Sequence, residues 1–205
     1  MSWAKPDGDV IQSAPFIDGA DWELTKNAHL LMEIASRWGA ESLGNVCGFF
    51  HVPRDWRCPC CCRNKSEIAR LDKNGNLLCA IVRHHDHLED NVRRVLRSSA
   101  EQRDRGSLEA RVISLVRFPP TLICNDCNVL DSAAKSIVGA PSYFSFAPYE
   151  IAAFVAPVAN SPHDVAAINT EQLQYAFRYA QPVLLLLLER LKSLVTPQCG
   201  WGRHA

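Results

Sequence analysis

The sequence predicts an α+β protein: a small zinc-stapled core of two short strands and a helix, with helical additions on its N- and C-terminal sides. Two Cys-x-x-Cys pairs, Cys58 with Cys61 and Cys124 with Cys127, stand more than sixty residues apart. Two such knuckles aim four thiolates at one point, as a structural zinc site requires. Runs of strand character lie near them, at Leu77 to Val82 and at Thr121 to Ile123, and the flanking segments carry helical periodicity. The expected division is an irregular arm and helix over 1–50, the zinc-bound module over 51–140 with a helical insertion over 88–117, and a helical region over 141–205.

At 205 residues the chain is long enough for one ordinary core, or for a small module with additions. Its formal net charge is zero, so a DNA or RNA partner would have to meet a local basic patch. Nine cysteines, an odd number set in Cys-x-x-Cys pairs, favour metal over a disulfide framework. Met1 to Ala20 shows no basic stretch followed by an apolar one, and so no secretory signal; a cytoplasmic location is expected. The longest apolar run, Val183 to Leu188, is six residues, against the roughly twenty that span a bilayer. No membrane segment is expected.

Residues 1–20 hold Pro6, Gly8, Pro15 and Gly19 without periodicity, which fits the irregular arm. Asp21 is placed to cap a helix whose apolar positions Leu24, Ala28, Leu31, Met32, Ala35 and Trp38 recur at three and four, and Gly39 supplies a left-handed stop. A packing helix without chemistry accounts for this segment. In the first knuckle, Trp56 to Arg63, Cys58 and Cys61 have the ligand spacing and Cys60 and Cys62 read as bystanders. A pairing of Cys58 with Cys62, or a share in a second metal, stays open. Cys47, Cys79 and Cys199 stand alone, as buried free thiols do.

Lys73-Asn74-Gly75-Asn76 predicts a tight hairpin turn, and Leu77 to Val82 one strand that delivers Arg83 and the histidines at its end. In the insertion, Val92, Val95 and Leu96, then Leu108, Val112 and Leu115, have helical spacing. Arg93, Arg94, Arg97, Arg103, Arg105 and Arg111 are interleaved with Glu89, Asp90, Glu101, Asp104 and Glu109, which fits a solvated helix. Arginines gathered on one face would instead be phosphate contacts. Pro119-Pro120 breaks any helix, Thr121 to Ile123 forms a second strand, and Asn125 to Val138 a helix ending at Gly139. That helix sets Asn128, Asp131 and Lys135 on one face.

Ala147-Pro148 opens a short helix over Tyr149 to Val155, and Ser161-Pro162-His163-Asp164 opens the next segment in the same manner. Thr170 caps a long helix through Leu173, Phe177 and Ala180, kinked at Pro182 and ending at Val195. Leu184 to Leu188 is apolar on every side, so this segment is either wrapped by the rest of the protein or pairs with another copy.

Between the knuckles stands His84-His85-Asp86-His87. One histidine on an apolar strand is more often a satisfied core residue than a ligand, but three in four positions, with an aspartate among them, call for chemistry. Neutral imidazole is both a common metal ligand and a base suited to neutral pH. Adjacent histidines on an extended segment point to opposite sides, so one can bind a metal while its neighbour faces a water. Asn128 follows the second knuckle at once and offers a hard amide oxygen. One histidine with Asn128 can hold a divalent ion whose remaining positions stay open to water and phosphate oxygens. That is the layout for metal-assisted phosphodiester hydrolysis.

At these residues the chain resembles the HNH, or ββα-metal (His-Me finger), nucleases, and among them the recombination endonuclease VII type. That type combines a Cys-Pro-x-Cys knuckle, an acidic-or-His/His/Asp/His strand end and a Cys-Asn-x-Cys-Asn. The match spans Trp56 to Lys135, roughly two fifths of the chain. The resemblance implies an endonuclease acting on DNA, with a structural Zn²⁺ at Cys58, Cys61, Cys124 and Cys127. It implies His84 and Asn128 as ligands of a catalytic Mg²⁺ or Mn²⁺, His85 as general base, Asp131 as an acidic catalytic position near the metal, and His87 in support. His84 stands where endonuclease VII types have aspartate; the lost negative charge weakens the case for Mg²⁺ and strengthens it for Mn²⁺ or Ni²⁺.

The competing expectation is a zinc-stabilised nucleic-acid-binding or adaptor module without turnover, which the zero net charge and the mixed-sign insertion favour. The flanking helices suggest regulation, docking to a larger machine such as a phage-defence system, or a homodimer formed through the Leu-rich C-terminal helix.

Overall fold

Two antiparallel strands, and the helix that leaves the second of them without a loop, carry the residues of interest. The computed structural model describes residues 19–99 and 110–195. The arm over 1–18, insertion positions such as Arg103, Arg105 and Leu108, and Cys199 lie outside the described residues. In chain order the elements are α1 (Gly19–Trp38), β1 (Ser42–Leu43), α2 (Lys65–Ile68), β2 (Arg70–Leu71), β3 (Asn76–Leu78) and β4 (Ile81–His84). They continue with α3 (His87–Ser99), β5 (Thr121–Cys124), α4 (Asn125–Val138), α5 (Pro148–Phe154) and α6 (Thr170–Val195). The protein is therefore α+β.

β4 and β5 pair antiparallel, with Ile81 opposite Cys124 and His84 opposite Thr121. Cys124 is at once the last residue of β5 and the N-cap of α4, so β5 fixes the direction in which α4 leaves. Gly139, left-handed at φ 64°, ends α4 by returning its N–H to the last turn.

The run Leu77 to Val82 is not one strand. β3 belongs to a separate sheet, antiparallel to β2 and parallel to β1, and β4 starts after a step at Cys79-Ala80. The loop 44–47 causes the step, because the Cys79 N–H donates to the Asn45 carbonyl at 2.9 Å and the Ile81 N–H to the Cys47 carbonyl at 2.8 Å. Gly48 follows, at φ 70°, where a Cβ would lie 2.0 Å from the Ile81 carbonyl oxygen. Only glycine fits there.

The β2–β3 turn also differs from the expected Asn-Gly hairpin. Of its residues only Gly75 is left-handed, at φ 76°, and the Asp72 carboxylate holds the turn by accepting from the backbone N–H groups of Asn74 and Asn76. The turn is built on aspartate.

α1 is already helical at Gly19, so Asp21 lies inside it and does not cap it. Leu31, Ile34 and Ala35 bury their side chains, whereas Leu24 and Ala28 are exposed. Gly39, at φ 60°, supplies the expected stop. In α3, Leu88, Val92 and Leu96 form the buried stripe. α6 is capped one residue earlier than expected, with the Asn169 side chain accepting from the Gln172 N–H, and Pro182 lies within the helix. Ser161 to Asp164 leads only to a 3₁₀ turn over Val165–Ala167.

One apolar cluster joins the knuckles, β4, β5, α3, α4 and the inner side of α6, from Val52 to Leu191. A second seats α1 on the three-stranded sheet through Leu31, Ile34, Phe49 and Leu77. Among the described residues no helix is long and apolar enough to cross a membrane.

Candidate metal centre and active site

Each knuckle is a local turn that gathers two sulfurs. In the first, the Cys58 N–H donates to the Arg63 carbonyl and the Cys62 N–H to the Cys58 carbonyl, and Cys62 takes the left-handed conformation at φ 60°. The second knuckle is the first turn of α4. Together they bring the buried ligand atoms of Cys58, Cys61, Cys124 and Cys127 within 4.8 Å of one another. Cys58 Sγ lies 3.9 Å from Cys127 Sγ, and Cys61 Sγ lies 3.7 Å from Cys124 Sγ. A tetrahedron of bonds of about 2.3 Å puts its sulfurs about 3.8 Å apart, so the four cysteines could hold a structural metal such as zinc. Cys60 is buried outside this set and Cys62 is exposed.

Hydrogen bonds from the Cys124 and Cys127 thiols pull Cys61 down to about 5 and lower Cys58 further. Cys127, pressed by Cys124 and Cys58, is pushed up. The cluster stabilises some thiolates at the expense of others, and only a cation at its centre lets all four ionise.

Arg63 closes the site from one side and is 4% exposed. Its guanidinium donates to Cys61 Sγ at 3.4 Å, to Cys124 Sγ at 3.6 Å and to the Asp126 carboxylate at 2.7 Å. It also donates to the carbonyls of Val158 and Ser161 and to His163 Nε2. A guanidinium has no acceptor, so His163 Nε2 carries the lone pair. Asp126, in turn, accepts from Arg70. A cation of four thiolates would carry two excess negative charges, and this fixed guanidinium opposes them.

The histidine cluster divides. His84, at the end of β4, is 2% exposed and stacks on Phe118 with ring centroids 5.3 Å apart. Its Nε2 lies 2.7 Å from the Phe146 carbonyl oxygen, which can only accept, so Nε2 carries the proton. In the neutral ring Nδ1 then presents its lone pair, and the atom facing it at 3.2 Å is Asn128 Oδ1. An imidazole nitrogen and an amide oxygen at that separation match adjacent ligands of an ion bound at about 2.1–2.2 Å. A backbone carbonyl on the far nitrogen is what orients a metal-ligating histidine.

His85 points elsewhere and is partly exposed. Its Nε2 lies 3.1 Å from the Asp90 carboxylate on α3, so in the neutral ring Nδ1 keeps the lone pair. The His87 ring lies tilted against that of His85, centroids 5.2 Å apart, and its Nδ1 meets the Lys135 ammonium at 3.4 Å. Burial, with help from the Lys135 charge, pushes the His87 pKa below the usual range. Asp86 is wholly buried, accepts from the backbone N–H groups of Leu88 and Arg117, and has its pKa raised by burial.

Asp131 is buried and already engaged. It accepts from the Phe146 N–H at 2.8 Å and from the Lys135 ammonium at 2.8 Å. It thus holds Phe146 by its N–H, while the carbonyl of the same residue holds His84. The expected face of α4 is present, with Asn128 toward His84 and Asp131 toward Phe146. Sequence reasoning missed Arg63, Asp126, His163, the Asp90 partner of His85 and the Phe146 carbonyl. A carboxylate five residues beyond His85, where strand gives way to helix, is the one signal that could have found Asp90. No protein-family model, no curated protein and no solved structure matches the chain.

Proposed function

We propose that the protein is a metal-dependent endonuclease of the HNH type that hydrolyses DNA phosphodiester bonds around a structural zinc at Cys58, Cys61, Cys124 and Cys127. One observation carries this reading: the Nδ1 lone pair of His84 and the amide oxygen of Asn128 face each other at 3.2 Å while the other ring nitrogen is fixed on a carbonyl. Two lone pairs directed at one point invite a cation. The divalent ion bound there, Mn²⁺ or Mg²⁺, would supply a Lewis acid for the phosphate oxygens.

The chain's own residues do the remainder. His85 accepts a proton from the attacking water at Nδ1, and Asp90 receives the hydrogen bond of Nε2–H, holding the ring in that tautomer and stabilising the imidazolium that forms. Phe146 and Asp131 keep His84 oriented. His84, the last residue of β4, and His85, the first beyond it, turn one ring inward and the other toward solvent, which separates ligand from base.

A second reading, a binding module without turnover, is favoured by the 2% exposure of His84 and by the direct hydrogen bond that an Nδ1–H would make to Asn128 Oδ1 beside the one from Nε2 to Phe146. Plasmid nicking separates the two. With added Mn²⁺ the chain should nick supercoiled DNA, and His85→Ala should cut the rate by roughly 10²–10⁴-fold with zinc content and circular dichroism unchanged. Nicking that persists in His85→Ala would remove this residue from the mechanism. No cleavage of any nucleic acid would leave the second reading.

A further inference from the structure

α6 is apolar on two sides. Leu173, Ala180, Leu184 and Leu191 face the core, but the opposite side exposes Tyr175 at 51%, Tyr179 at 69%, Val183 at 47% and Leu186 at 69%. A solvated helix face does not ordinarily carry four large apolar side chains in sequence. The stripe has a charge at each end, Glu171 and Arg190, both exposed and neither in an ion pair among the described residues. Spacings of three and four keep Glu171, Tyr175, Tyr179, Pro182, Leu186 and Arg190 on one side of the helix.

We propose that this face binds the same face of a second copy, α6 against α6, antiparallel about a two-fold axis passing between Ala180 and Gln181. That axis sets Tyr175 opposite Leu186, Tyr179 opposite Pro182, and Glu171 opposite Arg190, each pair occurring twice as a two-fold interface requires. The stripe is self-complementary in charge as well as in apolar character: its acidic end meets the basic end of the other copy. Beside it, a groove of about 330 Å³ between α5 and α6, lined by Tyr149, Tyr175, Tyr179 and Val183, receives Leu186 of the second copy. A nucleic-acid strand on the same tyrosines would need a track of cations, whereas Glu171 stands at one end and Arg117, which lines the groove, is already paired with Glu150. The proposal is independent of the catalytic reading.

Sedimentation equilibrium of the full chain tests it, over roughly 1–100 µM, the range for a contact of this modest size. The wild type should dimerise. Glu171→Arg and Arg190→Glu should each weaken the dimer about tenfold or more, because each sets two like-charged pairs face to face. The double variant, which restores opposite charges in both pairs, should recover most of the loss. Circular dichroism checks that all variants fold. A monomer throughout this range would overturn the proposal, including one whose Tyr179 and Leu186 are protected by the chain's own segments or by added single-stranded DNA. A dimer indifferent to the charge swaps would overturn the antiparallel α6 arrangement.

Discussion

His84 reaches its orientation through a relay of two hydrogen bonds on either side of one residue. Asp131 accepts the Phe146 N–H, and the Phe146 carbonyl accepts the His84 Nε2–H. Asp131, which the resemblance to the HNH nucleases places near the metal, would act on the proposed site through Phe146 as a positioning residue. Asp131→Ala orphans a buried N–H and takes the carboxylate from the Lys135 ammonium, and should cost about 1–3 kcal/mol of unfolding free energy in urea titrations. It should also weaken Mn²⁺ binding at His84 and Asn128 by about tenfold or more, as loss of an outer-sphere partner does, with zinc retained. Unchanged Mn²⁺ affinity would show that His84 needs no such support. Asp86 is the contrasting case: despite lying among the histidines, its carboxylate serves the backbone of Leu88 and Arg117 and would not be available to an ion at the proposed His84 and Asn128 site.

Among the elements, α2 is only one turn long, yet it binds the knuckle to α1. Asn64 and Glu67 form a reciprocal cap at its start, and Lys65 leaves its first turn for the interior at 1% exposure. The ammonium donates to the carbonyls of Phe49 and Val52 and to the Asn27 side chain of α1, and sits 4.5 Å above the Phe49 ring. Burial lowers its pKa to about 8, and three acceptors hold the charge at neutral pH. Lys65→Ala should destabilise the protein by about 2–4 kcal/mol, measured by urea unfolding at pH 7; a loss below about 0.5 kcal/mol, the level of an ordinary surface change, would mean that water replaces the ammonium without cost. Nothing in Asn64-Lys65-Ser66 announces a buried lysine, which by composition is a surface residue. The same limit explains the divided run Leu77 to Val82: its residues favour a strand throughout, and the break comes from the distant carbonyls of Asn45 and Cys47. By contrast, Gly39, Gly139 and the strand before Cys124 were legible because stop and strand signals act within a few residues.

On the scale of the whole molecule, the paired knuckles were the most legible feature, since Cys-x-x-Cys turns are local and their union needs only that the chain return once. Their consequence for Asn128 was also legible: it lies one residue beyond Cys127, so whatever draws the knuckles together carries it to the end of β4. What the sequence could not show is the guanidinium that faces the sulfurs. Arg63 follows a cysteine run like any surface charge, and its partners Asp126, Val158, Ser161 and His163 come from the second knuckle and the segment before α6. The proposed order is that zinc organises the centre and a second ion uses it. Calorimetric titration of zinc-loaded protein with Mn²⁺ tests this most directly, beside Asn128→Ala and with zinc counted in both. Expected is one bound Mn²⁺ per wild-type chain, lost in Asn128→Ala while each protein keeps one zinc. Absence of Mn²⁺ binding to the wild type, or equal binding by Asn128→Ala, would contradict it.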